Sequence, residues 1–324
     1  MNKIAFIYGE AVLYWNSIVT ALAVLTGILF YLAAYSRKNA TIADAVNSCP
    51  PAILFSLVFA RLIHWYFRAD GYEGLLQAVT DFSRGGFALC GAFFGCFLAA
   101  WLCNLQKGSN KFFQMLDCMS VGGCAAIALG RLASFFTSEN RGDILPGITQ
   151  LPLVYPVLNP TSGITEYRFS TFLFQAIIAG CIFADLMLLF LQKKKKRDGD
   201  ISLLFLLLYC ATQVLMDSTR YDSLRLRSNG FISIVQVLSA AAMLTVLILF
   251  TVRIVRQRGW NIRFFLIWIM LAAGFGIAAY MEYHVQRHGD QAVFAYSIMS
   301  ICLCVIVALG FILWNLSCRE YEKA

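Results

Sequence analysis

The sequence predicts an all-α polytopic membrane protein, and three observations predict it. Of 324 residues, 60% are hydrophobic and 14% charged, whereas about a quarter of residues are charged in a soluble domain. The apolar residues gather into nine runs, each near the ~20 residues a helix needs to cross the hydrocarbon core. Lysines and arginines fall in alternate connections between these runs, as the positive-inside rule requires.

The expected spans lie near 12–35, 46–67, 86–104, 113–136, 171–192, 201–219, 231–253, 262–283 and 292–316. The first follows a single lysine, Lys3, and lacks a small-residue cleavage site, so it reads as a retained span rather than a removed signal peptide. Arg37 and Lys38 close it. The second carries Arg61 late in its length; the third opens after Arg84-Gly85-Gly86 and is closed by Lys107 and Lys111. The fourth ends at Arg131. Residues 137–170 follow, with four of the six prolines (Pro146, Pro152, Pro156, Pro160), and a connection this long reads as a small ordered head. The fifth span opens after Arg168 and ends at the run Lys193 to Arg197, and the sixth ends at Asp217 and Arg220. Arg253, Arg256, Arg258 and Arg263 separate the seventh from the eighth, and Arg319 and Lys323 close the ninth. Strict alternation places these basic connections in the cytoplasm, with the N-terminus and residues 137–170 outside and the C-terminus inside.

The formal charge of +8 does not imply a nucleic-acid partner, because the lysines sit between apolar runs and no basic, aromatic-interleaved surface segment accompanies them. Eleven cysteines include no CxxC pair, and most lie within or beside the spans. They read as small reduced residues that pack like hydrophobes. A transporter reading lacks support, since there is no repeat symmetry and no matched pair of broken helices.

On this topology Arg61, Arg84, Arg131, Arg168, Asp217 and Arg220 share the outward ends of five spans. A charge near the bilayer centre costs from about 3 to above 10 kcal/mol, so it normally faces a protein interior or wet cavity and has a partner. Snorkelling explains any one of these residues; their convergence points to a site. A guanidinium offers a flat fork of donors that suits phosphate, and phospholipid headgroups are the largest phosphate population at that depth. Arg131 and Arg220 read as headgroup ligands, while interfacial anchoring stays open for Arg84, Arg141 and Arg168. Near the end of the eighth span, His284 and His288 stand at i and i+4 beside Glu282, a spacing that could hold metal. With no third ligand identified, they read as a solvated helix end, and neither a metal nor a cofactor is expected.

Six stretches carry a family likeness: Phe59-Ala60-Arg61-Leu62, Gly85 to Ala92, Gly130 to Gly142, Arg168 to Ala176, Tyr209 to Arg220, and Ser233 to Ser239. In this order, and with Asp117, they resemble the motifs of the prolipoprotein diacylglyceryl transferases, bacterial enzymes that move diacylglyceryl from phosphatidylglycerol to the lipobox cysteine of a preprolipoprotein. The third is similar to the signature G-R-x-G-N-F-x-N-x-E-x-x-G, with Arg131, Phe135, Glu139 and Gly142 in place and Ala133, Ser134 and Thr137 departing. Gln213 stands where the fifth motif has an arginine. The resemblance implies a seven-helix core over residues 1–258, with an outward head at about 137–170, and two additional helices in 259–324. It implies a cavity open to the bilayer in which Arg131 and Arg220 act on the departing phosphate. Glu139 would orient Arg131 or accept a proton. Arg61, Ser134, Gly142, Arg168, Gln236 and Cys90 would bind substrate. The implied partners are phosphatidylglycerol, membrane lipids and a prolipoprotein signal peptide with its lipobox cysteine; the implied location is the bacterial inner membrane. Cys90 occupies the place of the family's histidine and reads either as a packed small residue or as a thiol with a role. His64, three residues beyond Arg61, reads as a packed histidine or a replacement base. The alternative function is a non-catalytic phospholipid- or lipopeptide-binding protein on the same scaffold, which the changes at Cys90, Ser134 and Phe174 would permit.

Overall fold

The computed structural model describes residues 4–9, 11–38, 41–67, 74–80, 86–107, 111–144, 151–159, 163–192, 196–226, 232–288 and 291–323. Arg84, Gly85, Pro146, Pro160 and Lys193 to Lys195 lie outside them. The helices are α1 (Trp15–Ser36), α2 (Ile42–Phe67), α3 (Leu75–Thr80), α4 (Leu89–Lys107), α5 (Phe112–Gly130), α6 (Thr171–Leu191), α7 (Asp200–Ser218), α8 (Ile234–Arg258), α9 (Ile262–His288) and α10 (Ala292–Lys323). Two antiparallel hairpins, β1 (Ile4–Tyr8) with β2 (Ala11–Tyr14) and β3 (Val154–Leu158) with β4 (Thr165–Phe169), complete the set. Among the described residues eight helices are long and apolar enough to cross a membrane; α4, apolar over Leu89–Leu105, is shorter. Large apolar side chains such as Leu22, Ile177, Leu188, Met270 and Ile301 are exposed. On a multi-pass membrane protein these are the surfaces that acyl chains cover, because apolar side chains need no polar partner in lipid once the backbone groups are satisfied within the helices.

Several boundaries differ from the sequence reading by a few residues, two of them where the local structure changes type. The first helix starts at Trp15, since Ala11–Tyr14 pairs with Ile4–Tyr8 around Gly9, whose φ of 60° suits a residue without Cβ. The fourth span stops being α-helical at Gly130 and continues as a 3-10 helix over Arg131–Phe135.

The chain divides into two compact units. The first comprises Met1–Phe55, Gly95–Phe190 and Thr219–Ser223. Here α1 and α5 approach closely through small residues: a Cβ on Gly122 would lie 2.4 Å from Gly27 O, and one on Gly27 would lie 2.8 Å from Ala126 Cβ. Small residues let membrane helices pack backbone to backbone, where dispersion replaces the missing hydrophobic drive. Tyr31, Tyr35, Ala45, Ala100, Met115 and Cys118 form a buried cluster, and the Tyr31 phenol is satisfied by Ser48 Oγ at 2.7 Å.

The second unit comprises Ser56–Phe94, Leu191–Ser218 and Leu224–Ala324. Helix α8 is started by a capping box. Ser233 Oγ accepts from the Gln236 amide, and Gln236 Oε1 accepts from the Ser233 amide, both at 3.1 Å. Gln236 Nε2 then donates to Val214 O at 3.2 Å, which ties α8 to α7. Phe93 meets Phe205 and Tyr209 edge-on. At the start of α7 the buried Asp200 accepts from Arg253 Nη1 at 2.6 Å. No disulfide joins the cysteines among the described residues; Cys118, Cys124 and Cys210 are buried as expected, whereas Cys181 and Cys304 lie on the exposed surface.

Candidate functional site

Arg131 opens the 3-10 turn, and its Nη1 donates to Asn140 Oδ1 at 2.8 Å. Asn140 Nδ2 donates in turn to the buried Ser134 Oγ at 3.0 Å, which closes residues 131–140 into a loop. The φ of Asn140 is 56°, a left-handed conformation that asparagine adopts more readily than most residues with a Cβ. Its backbone N–H donates to Asp222 Oδ2 at 2.9 Å. The other oxygen of Asp222 accepts from Arg220 Nε at 2.9 Å. Arg131 and Arg220, both partly buried, are thus linked through one amide side chain and one carboxylate. Such a link holds two guanidiniums in place.

Three loop segments cross to build this arrangement. The Gly142 N–H donates to Phe169 O at 2.8 Å, Phe169 returns its own to Asp143 O at 3.0 Å, and the Tyr221 N–H reaches Arg141 O at 3.1 Å. Gly142 also pairs with Arg220, and Ile144 with Arg168. Gly142, expected among the substrate-binding residues, is tightly packed, for a Cβ there would fall 2.8 Å from Phe169 Cβ and 2.9 Å from Thr219 O.

Arg141 lies 1% exposed. Its guanidinium sits 4.2 Å from the Phe172 ring centre and 4.7 Å from that of Tyr155, and Nη2 donates to Ser134 O at 2.8 Å and Thr137 O at 3.1 Å. Burial pulls its pKa down to about 10, so it remains charged at neutral pH. Two aromatic faces and two carbonyls offset the loss of water around it. Arg168 is ion-paired with Glu166 at 2.6 Å and lies 4.3 Å from the Tyr221 ring centre. Hydrogen bonds from Asn159 and Arg168 hold the Glu166 carboxyl below its ordinary range. Glu139 is exposed, and its neighbour Asn140 supplies the acceptor at Nη1 of Arg131.

The other expected residues belong to the second unit. Arg61, 1% exposed, donates from Nη1 to Gly86 O at 2.9 Å and lies over Phe87. The His64 ring fills the space beside Gly86, whose φ is 79° and where a Cβ would fall 2.4 Å from His64 Cε1. Cys90 is partly buried one residue into α4. Gly91 lets that helix reach the backbone of Phe59, where a Cβ would fall 2.4 Å from the carbonyl oxygen. Ser233 Oγ hydrogen-bonds Asp217, so Asp217, Ser233 and Gln236 form one cluster.

Sequence reasoning missed Asn140 and Asp222. A signal was present: an arginine at membrane depth needs a partner, and Asp222 stands two residues beyond Arg220. Burial pushes the Asp222 carboxyl up, but the Arg220 charge and the bonds from Arg220 and Asn140 outweigh it, leaving the group below the ordinary range. A depressed folded-state pKa adds stability above the unfolded value of about 4, and that stability is lost as pH falls through the folded value. Protease protection of residues 137–170 should accordingly be flat above about pH 5 and decline from about pH 4 downward. Asp222→Asn should lower protection at pH 7 and flatten that acid limb; an unchanged limb would assign it to other carboxylates.

Residues 3–252 match the family model described as prolipoprotein diacylglyceryl transferase. Curated relatives named phosphatidylglycerol–prolipoprotein diacylglyceryl transferase include that of Clostridioides difficile (strain 630), 28% identical over 239 residues, covering 74% of this chain and 90% of the relative. That of Clostridium botulinum (strain Langeland) is 26% identical over 242 residues, covering 74% and 92%. That of Acaryochloris marina (strain MBIC 11017) is 30% identical over 240 residues, covering 72% and 84%. The match ends within α8 and leaves α9 and α10 beyond it. With the six motif stretches in order and three quarters of its length matched, the chain belongs to the prolipoprotein diacylglyceryl transferase family.

Proposed function

We propose that the chain transfers diacylglyceryl from phosphatidylglycerol to the lipobox cysteine thiol of prolipoproteins, forming a thioether and releasing glycerol phosphate. The observation that carries this reading is the Arg131–Asn140–Asp222–Arg220 link, in a chain whose relatives are named for that reaction. The cysteine sulfur attacks a glyceryl carbon while the carbon–oxygen bond to phosphate breaks. The leaving group gains negative charge, and cations fixed beforehand lower the barrier by a few kcal/mol each. Arg131 and Arg220 take this role, with Glu139 supporting Arg131 or accepting a proton. Nearby positive charge also favours the thiolate, the reactive form of a thiol whose ordinary pKa is about 8.5. Arg61, Ser134, Gly142, Arg168, Gln236 and Cys90 are assigned to shaping and binding the substrates.

Residues 1–258 form the transferase core in this reading, with 259–324 as an appended helix pair. The protein lies in the inner membrane with its N-terminus outside and its C-terminus cytoplasmic. A cysteine placed at Lys195 should be labelled only from the cytoplasmic face; labelling from outside reverses the topology. For the reaction, purified protein given labelled phosphatidylglycerol and a lipobox peptide should yield the thioether. Cys90, standing where the family has histidine, favours a second reading, and tight lipid binding without product where a relative is active would establish the non-catalytic binding protein instead.

A further inference from the structure

Helices α9 and α10 lie beyond the matched residues, yet both reach the residues of the family's motifs. Helix α10 follows α7 at close range, for a Cβ on Gly310 would fall 2.5 Å from Leu207 Cδ2. Trp314 Nε1 and Cys318 Sγ reach Asp200, the first residue of α7, at 3.3 and 3.7 Å. At the opposite end Tyr296 OH donates to the carbonyl of Ser218, the last residue of α7, at 3.4 Å. The two helices therefore run antiparallel and are tied at both ends.

Helix α9 adds a carboxyl group to that same last turn. Glu282, read from sequence as part of a solvated helix end, is 8% exposed. Its Oε1 accepts from Gln286 Nε2 at 3.2 Å. The Ser218 hydroxyl and Gln236 amide stand beside the carboxyl, and Asp217 faces it from α7. Oε2 makes no hydrogen bond among the described residues. An ionisable group buried in a membrane helix is expensive, and a merely adhesive contact would be made more cheaply by an apolar or amide side chain. The neighbours are also particular: Asp217 and Ser218 belong to the stretch Tyr209 to Arg220, Gln236 to the stretch Ser233 to Ser239, and Arg220 follows Ser218 by two residues.

We propose that Glu282 is a positioning residue of the transfer reaction, contributed by the appended helices, which with Tyr296 fixes the last turn of α7 and hence the segment Thr219–Ser223 that carries Arg220. This rests on the transferase reading. The appended pair is then a working part of the enzyme, because the conformation of Arg220 depends on a carboxyl acceptor outside the matched core. A catalytic group displaced by about 1 Å loses up to about 100-fold in rate.

The test uses the full-length protein with labelled phosphatidylglycerol and a lipobox peptide, together with amide hydrogen exchange. Glu282→Gln should lower kcat about tenfold or more at unchanged KM and thermal midpoint, and should speed exchange selectively at residues 219–223. Glu282→Asp should restore part of both. Wild-type kcat and exchange in Glu282→Gln overturn the proposal. So does a loss that merely tracks the folded fraction, with exchange raised throughout. If the wild-type protein makes no product, the transferase reading fails, and selective exchange at 219–223 alone decides the positioning role. Should Glu282→Gln fail to fold, Tyr296→Phe and Glu282→Asp carry the same comparison.

Discussion

Arg131→Ala and Arg220→Ala should each lower the transfer rate by about 100-fold or more, the largest single-residue effects expected in this protein. Removing one preorganised donor from a developing oxyanion typically costs about 2.7–4 kcal/mol, and these arginines are held before substrate arrives. Asn140 fixes Nη1 of the first, and Asp222 fixes Nε of the second. The losses should be far from additive, because both residues reach one shared link and either deletion disorders it. Lysine should rescue neither, since it offers a point charge in place of a planar fork. Initial rates with labelled phosphatidylglycerol, scaled to folded protein, measure this. A near-normal rate in either alanine variant would remove that arginine from the phosphate.

Gly142→Ala should damage stability and turnover together, with a rate loss approaching that of Arg220→Ala. A Cβ there would fall 2.8 Å from Phe169 Cβ, 2.9 Å from Thr171 Oγ1 and 2.9 Å from Thr219 O. None of the three can swing away freely: one is the root of a side chain, one is hydrogen-bonded to Thr219 Oγ1 at 3.2 Å, and one is backbone. Overpacking of this kind costs about 1–3 kcal/mol or more. Relief requires opening the crossing that aligns Arg220 with Gly142. Gly180→Ala is the control, because a Cβ there meets nothing within 4 Å. Thermal unfolding and turnover of the two variants should diverge sharply; equal behaviour would show that the crossing gives way without consequence.

The positions of the membrane helices were legible in the sequence because spanning is a local property. About 20 consecutive apolar residues must sit in one segment whatever the rest of the chain does, and α6 at Thr171–Leu191 falls almost on the expected 171–192. The identity of the charged residues worth attention was legible for the same reason, as the cost of an arginine in an apolar run needs no knowledge of its neighbours. The ordered motif stretches likewise pointed to the family. The partners of those arginines depended on which loops cross. Asn140 meets Asp222 only because segments 140–144, 166–171 and 219–222 converge, and no periodicity encodes such a meeting. The same holds for Gln236, whose amide meets a helix cap and α7, and for Glu282, drawn into the protein by α7 and α8. Composition and pattern set which segments leave water; long-range packing then decided which polar groups inside find one another, since an unpaired buried charge is too costly to be left to chance.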